Sequence, residues 1–427
     1  MRQPQPTTSV VIVGAGYAGL LCATRLARKT RDLPVSVTLV NETDTFTERL
    51  RLHEYAANHP IPWRSIPATL AGTGITFVQA RVMAISPQRK AISLAPAEGA
   101  ERRLTYDTMI YALGSATERA SVTGAAEHAY TLAPRGPLSA EAMRAALPQL
   151  PAGARIVVCG AGATGIETTA ELASSYLKLR VALVTEGVFG AFIGERVARY
   201  MRRSLERQSV VIVEQARISE VRADSVALAD GRSLPHDLCV WAGGFTAPSL
   251  AREAGLAVNA RDQIIIDPYM RSITDPAIFA IGDAAHAREE PGAPLRMSAF
   301  TALILGAHGA DCVSDILHGR APKPLSFAYI GQGIALGHGD GIGFSKTADD
   351  IARAPYFTGR IAASIRAFGL NYLATSAERD KHPLGAYLWT GKGRYARARR
   401  QAAPQSAPQA EPHVDDTPRV AVGARRR

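Results

Sequence analysis

The stretch VVCGAGATGIE (157–167) nearly repeats VVIVGAGYAGL (10–20), written at the start of the same chain. Each is an apolar run closing on a G-x-G-x-x-G turn. A buried parallel strand needs that order of residues as it runs into a tight turn and then a helix. In the first copy Gly14 permits the turn, Gly16 lets the backbone approach a pyrophosphate, and Gly19 lets helix and strand pack together. Gly160, Gly162 and Gly165 hold the same three places in the second. A phosphate would rest on the free N–H groups at each helix N-terminus, where the helix dipole favours negative charge.

One such turn is weak evidence, but here the surroundings repeat as well. LTYDTMIYALG (104–114) matches LPHDLCVWAGG (234–244) in register. Each is an Asp-led apolar strand that follows a β-rich stretch and closes on a glycine, Gly114 or Gly244. The duplicated unit is therefore a whole domain of roughly a hundred residues or more, and the chain is expected to hold two dinucleotides at once. After the first turn the strand VSVTLV ends at Asn41 and Glu42, which leaves the ribose contact open between them. After the second turn RVALVTE ends on Glu186. A carboxylate there accepts from a ribose 2′-OH and repels a 2′-phosphate, and no arginine follows at once, so NADH is favoured over NADPH.

Two dinucleotides in adjacent domains imply electron traffic between them. A nicotinamide hydride needs an acceptor ring, and flavin fits. TDPAIFAIGDAA (274–285) is a third apolar strand, ending in Gly282 and Asp283, where an acidic side chain suits a ribityl chain.

The chain has 427 residues, 47% hydrophobic and 20% charged, enough for two or three domains with their own cores. Cys22, Cys159, Cys239 and Cys312 form no CxxC or metal-like pair. No metal site is expected, and a reduced, cytoplasmic setting is the simpler reading. The opening MRQPQPTTS lacks a secretory pattern, and no uninterrupted apolar run reaches the ~18 residues of a bilayer span. Much of the net charge of +11 lies in GKGRYARARR and VAVGARRR, around the proline- and glutamine-rich QAAPQSAPQAEP. Residues 391–427 are expected as a disordered basic tail. Nucleic acid is not favoured as its partner, and an acidic surface is the sharper alternative.

The paired GAGxxG turns, YALG, WAGG and FAIGDAA together resemble the pyridine nucleotide-dependent flavoprotein reductases with two dinucleotide-binding domains. GATGIE is similar to the NADH-domain motif of the type II NADH dehydrogenases, and the likeness covers about residues 8–345. It implies an α/β fold of two Rossmann-like domains. The NADH domain (145–255) is inserted in an FAD domain (1–144 and 256–325), and a small C-terminal α+β region (326–390) follows. It further implies FAD in the N-terminal copy, with Asp283 at the ribityl and pyrophosphate region and Val82 meeting the adenine through its backbone. Ala112 and Gly114 would line the flavin nucleotide, and Glu167 would sit near the nicotinamide. The rival reading of Glu167 is a surface residue in a first helical turn.

The departures are informative. Disulfide reductases of this superfamily carry a CxxxxC pair where this chain has FTERLRLHE (46–54), without cysteine. A dithiol relay is excluded, and the cysteines of sulfide:quinone reductases have no counterpart. Type II dehydrogenases show an Ala-Gln pair beside the flavin, where RMSAFTAL has Ala299 followed by Phe300. Ser298 still suits an N-cap, and the helix N-terminus at Ala299 would face the flavin N1–C2=O edge. His53 and Glu54 are candidates for proton delivery to an acceptor. Arg49 and Arg51 are candidates for binding an anionic substrate or the FAD phosphates. A helix with a solvated charged face is the alternative for all four.

YFTGRIAASIRAFGLNYL spaces Phe357, Ile361, Ile365, Phe368 and Tyr372 as one apolar helical stripe, with Arg360 and Arg366 off it. Packing on the protein's own domains or on a second copy is favoured over the membrane attachment that the resemblance implies. A homodimer and peripheral contact with the inner face of a membrane both stay open. Before the stripe, AYIGQGIALGHGDGIGF reads as strand–turn–strand. The expected activity is that of an FAD-dependent NADH:acceptor oxidoreductase, passing electrons to a quinone or another small acceptor. The rivals are a slow-turnover redox-sensing interaction protein that binds FAD and NADH, and a reductase of a small acidic electron-transfer protein.

Overall fold

A strand that is apolar on both faces belongs in the middle of a parallel sheet, and Thr8–Val13 sits there, with Val10, Val11, Ile12 and Val13 fully enclosed. The computed structural model describes residues 7–95, 102–288, 294–337, 339–348 and 350–391. In it this strand pairs in parallel with Val35–Asn41 and Thr108–Tyr111. Thr76–Gln79 and Ile278–Ala280 complete a five-stranded sheet. A strand from late in the chain thus closes a sheet begun at its start, which is the topology of a domain interrupted by an insertion.

The inserted domain repeats the plan. Arg155–Cys159 lies between Arg180–Val184 and Leu238–Trp241, with Val211–Val213 at one edge and Ala129–Tyr130, ahead of the expected boundary at 145, at the other, all parallel. Each sheet carries a three-stranded antiparallel meander on its crossover. The first meander is Arg81–Ser86, Ala91–Ala95 and Arg102–Thr105, and the second is Ile218–Val221, Ser225–Leu228 and Ser233–Pro235. The repeat extends to single bonds. Asp107 accepts from the Ser9 N–H and Asp237 from the Arg155 N–H, each at 2.7 Å. The aspartate leading each matched strand therefore pins the start of its neighbour.

Helix Tyr17–Lys29 packs on helix Ala299–Leu317 in the first core. The latter is long and apolar enough to cross a membrane, but it is mostly buried inside the protein and serves as a core helix. The C-terminal part opens with the antiparallel strands Gly331–Ala335, Gly341–Lys346 and Ala352–Thr358, followed by helix Gly359–Ala374. That helix turns Ala362, Leu370 and Ala374 inward. Its apolar stripe points out, with Phe368 74% and Ile361 65% exposed. Of the two packings expected for the stripe, this removes the protein's own domains and leaves a second copy. The inner row at four-residue spacing is Ala362, Arg366, Leu370 and Ala374, and its small members let the helix approach closely.

Beyond the helix, buried charges hold the chain to the first domain. Asp380 pairs with Arg25 at 2.8 Å and Arg28 at 2.6 Å, and Arg25 also pairs with Asp311 at 2.8 Å. Of the expected tail only Gly391 is described, and 392–427 lie outside the described residues.

Candidate active site

The two glycine turns have the same geometry for the same reasons. Gly14 (φ +100°) and Gly160 (φ +107°) occupy left-handed backbone that side chains avoid. A Cβ on Gly14 would strike the Ala112 carbonyl, and one on Gly160 the Ala242 carbonyl. At Gly19 and Gly165 it would strike the carbonyls of Gly14 and Gly160. At Gly16 and Gly162 it would meet nothing within 4 Å. These two begin helices Tyr17–Lys29 and Ala163–Ser175, neither of which has a side-chain cap, so the first N–H groups are left for an anion.

One cavity of about 2050 Å³ runs past both turns. Gly14, Gly16, Asn41, Glu42 and Val82 line it on the side of the first turn, and Gly160, Gly162 and Glu186 on that of the second. Ala112, Gly114, Gly244 and Gly282 add backbone to its wall, beside Asp283, Ser298 and Ala299. Gly19 and Gly165 are packing positions behind the wall rather than part of it.

Asp283 Oδ2 accepts from Ser115 Oγ at 2.8 Å, while Oδ1 is buried with no partner. Burial raises the Asp283 carboxyl above its usual range, with Ser115 and Arg49 pulling it back. A buried acceptor oxygen left unmatched at a cavity wall fits the hydroxyls of a ribityl chain. Arg49 donates to the Ser115 carbonyl at 2.6 Å and faces the same cavity; the protein around it desolvates the guanidinium and lowers its pKa. Ser298 caps helix Ala299–Leu317 by accepting from the Thr301 N–H at 3.2 Å. Asn41 behaves differently from a ribose ligand. Its Oδ1 accepts from the Ala15 N–H at 2.9 Å and its Nδ2 donates to the Thr43 carbonyl at 2.8 Å, whereas Glu42 beside it is exposed. Together these residues fit FAD on the first turn.

Glu167 is no surface residue: its side chain is 12% exposed, and Oε1 accepts from the Ala335 N–H at 3.0 Å and from Arg366 Nε at 2.9 Å. Burial raises its carboxyl, opposed by Arg366 and the Ala335 N–H. Sequence reasoning missed Arg366. It lies 199 positions from Glu167, and periodicity only marked it as off the stripe.

The short helix Leu52–Ala56 corrects the other expectations for its segment. Arg49, Leu50 and Tyr55 reach the cavity, but His53, Glu54 and Arg51 do not. His53 is buried with Nε2 unpartnered, and burial, then Arg366 and Arg51, hold its pKa well down, so the ring is neutral. Glu54 pairs with Arg51 at 2.9 Å and Arg366 at 3.4 Å, and Arg51 also reaches Glu48 at 3.2 Å. Helical geometry turns these three inward, so they neither deliver a proton to the cavity nor form a solvated face.

Two nucleotide turns opening on one cavity, with an unmatched carboxylate oxygen beside the first, define a flavoprotein oxidoreductase that uses a nicotinamide. The chain belongs to the pyridine nucleotide-disulphide oxidoreductase family, whose profile matches residues 8–302. Its cofactors are FAD and NADH. All four cysteines are buried and unbridged, with Cys159 Sγ 3.7 Å from Cys239 Sγ. An NADH dehydrogenase-like protein of Mycobacterium tuberculosis is 27% identical over 328 residues, covering 72% of this chain and 81% of the relative. The type II NADH:quinone oxidoreductase of Haemophilus influenzae is 27% identical over 380 residues, covering 76% and 84%. Among solved structures, NDH2 from Plasmodium falciparum in complex with NADH shares the fold, with a TM-score of 0.74 at 15% identity, over 88% of this chain and 96% of that one.

Proposed function

We propose that the protein is an NADH:quinone oxidoreductase working on the cytoplasmic face of a membrane. The observation that carries this reading is where the cavity opens. Phe357, Ile365 and Tyr372 belong both to its lining and to the exposed stripe, so it reaches the surface along an exposed apolar face. Leu370, Leu373, Tyr387 and Trp389 continue an apolar wall inside. The stripe then serves as an interfacial face. Phe300, with its ring centroid 6.2 Å from that of Tyr329, gives the acceptor apolar contact where type II dehydrogenases place an amide. The relative from Haemophilus influenzae is named for a quinone acceptor.

The geometry of the cavity wall supports a set of residue roles. The N–H groups at Gly16 hold the FAD pyrophosphate with Arg49 nearby. Glu42 takes the ribose, Val82 the adenine through its backbone, and Asp283 the ribityl hydroxyls. Ala112, Gly114 and Gly282 let backbone lie close to the nucleotide, and the helix end at Ser298 and Ala299 places partial positive charge at the flavin edge. Gly162 and Glu186 do for NADH what Gly16 and Glu42 do for FAD. Gly244 lines the seam, and Glu167 borders the nicotinamide. When bound, FAD accepts hydride from NADH and passes the electrons on. The chain's own contribution is distance, orientation and exclusion of water.

Anaerobic mixing with NADH or NADPH, then with quinones or ferricyanide, tests the reading. Rapid bleaching of the flavin by NADH and rapid recovery with quinone are expected. A reduced complex that persists against every acceptor would favour the sensing alternative instead.

A further inference from the structure

We infer that Arg366 is a positioning residue that fixes the Glu167 carboxylate between the inserted domain and the C-terminal helix, so that nicotinamide binding and hydride delivery depend on it through Glu167. The inference rests on the reading that Glu167 borders the nicotinamide.

The geometry is specific. Arg366 Nε and Nη2 both lie 2.9 Å from Glu167 Oε1, Nη1 lies 3.4 Å from Glu54 Oε1, and Nη2 lies 3.4 Å from the Leu50 carbonyl. The three side chains are 11%, 12% and 18% exposed. Two carboxylates from distant segments would repel each other in such an enclosure, and the planar guanidinium joins them. The Ala335 N–H also falls on Oε1. Among the described residues every bond to Glu167 thus uses Oε1, which leaves Oε2 for an occupant of the cavity that Glu167 lines.

The hold is doubled. Glu54 pairs with Arg51, Arg51 with Glu48, and Glu48 with Arg64 at 3.0 Å. Arg64 then donates to Asn371 Oδ1 at 3.0 Å. Arg366 and Asn371 stand on the same helix, so a line of charged side chains leaves that helix and returns to it. A buried ion pair that served stability alone would be no better than apolar packing. This one includes a carboxylate with an oxygen to spare at the cavity.

The groups facing Glu167 are Arg366 from the C-terminal helix and, from the segment after the second strand of the first sheet, Glu54 backed by Arg51 and neutral His53. Removing Arg366 leaves burial and Glu54 acting together to protonate Glu167. Removing the Glu54 charge acts the other way.

The test compares R366Q, R366K, E54Q and E167Q from about pH 5 to about pH 9. Two readouts are used: NAD⁺ affinity by calorimetry, and the infrared band of a protonated carboxylic acid in FAD-free protein, assigned by its loss in E167Q. In R366Q the Glu167 protonation midpoint should move to about tenfold lower proton concentration or further, and NAD⁺ affinity and the NADH-driven flavin reduction rate should fall with it. R366K should restore most of both, and E54Q should shift the midpoint the opposite way. A misfolded R366Q leaves the last two variants to decide. Equal midpoints in wild type, R366K and E54Q, or an R366Q profile that superimposes on wild type, would overturn the inference. If E167Q itself leaves NAD⁺ affinity and flavin reduction unchanged, the role of Glu167 fails instead.

Discussion

The Ala15 N–H donates to Asn41 Oδ1 at 2.9 Å, which binds the last residue of the strand Val35–Asn41 into the glycine turn. Asn41 therefore shapes the first nucleotide site without needing to touch the nucleotide. Asn41→Ala should destabilise the FAD-free protein by about 0.5–1.5 kcal/mol, the worth of an ordinary intramolecular bond. Glu42→Gln should leave that stability unchanged and weaken FAD binding. Thermal melts and fluorimetric FAD titration separate the two effects.

Gly16 and Gly19 are three residues apart and should respond in opposite ways to one methyl group. A Cβ at Gly16 meets only open cavity, whereas at Gly19 it collides with the Gly14 carbonyl. Gly16→Ala should fold normally and lose FAD affinity. Gly19→Ala should cost about 1–3 kcal/mol or more in the FAD-free protein, as overpacking does. Gly162 and Gly165 should repeat this contrast for NADH, read by calorimetric titration.

Asp283 carries a pH signature. Burial raises its carboxyl in the folded protein, so folding favours the protonated form. Its contribution to stability is complete at low pH and is lost as pH rises through the raised value. Asp283→Asn removes that loss. Without FAD the variant should be more stable than wild type at neutral pH, because no buried charge is left to desolvate. The gap should close in acid, and FAD affinity should fall. Melting curves across pH with and without FAD measure both.

Glu186 lines the cavity after the second strand of the inserted sheet. Glu186→Ala should narrow the preference for NADH over NADPH by about tenfold or more, the worth of one charge-assisted bond. Steady-state kcat/KM for both nucleotides is the measurement, and unchanged discrimination would remove Glu186 from the ribose.

The outward stripe predicts a separable surface function. Ile361→Asp with Phe368→Asp changes two side chains that are largely exposed, so stability should move by no more than about 0.5 kcal/mol per site. Binding to anionic lipid vesicles should be lost while NADH:ferricyanide activity persists. Sedimentation with vesicles decides this. If only a dimer dissociates, the stripe is a subunit interface.

How much of this was legible beforehand depends on how far apart the partners lie. The glycine turns, the Asp-led strands and Gly282-Asp283 could be read because each signal is written within a few residues and two of the three are written twice. Glu167 carried a motif, but not its enclosure. Arg366 was hidden because its partners are 199 and 312 positions away, and an arginine off an apolar stripe looks like any solvated one. The helical spacing of the stripe holds from Ile361 to Tyr372, while Phe357 lies on the preceding strand and the protein's own domains do not cover the stripe. Periodicity defines a face and does not say which side of the helix the protein claims, and here small residues and a paired arginine took the inside.

Trp389 Nε1 donates to the Ser326 carbonyl at 3.0 Å, and the Ala328 N–H donates to the Thr390 carbonyl at 2.9 Å. Since Tyr387, Leu388, Trp389 and Thr390 are all cavity wall, the stretch just ahead of the basic tail is masonry rather than trailing thread. Anyone trimming that tail for crystallisation should cut downstream of Gly391, because a stop codon a few positions earlier would knock out one side of the chamber.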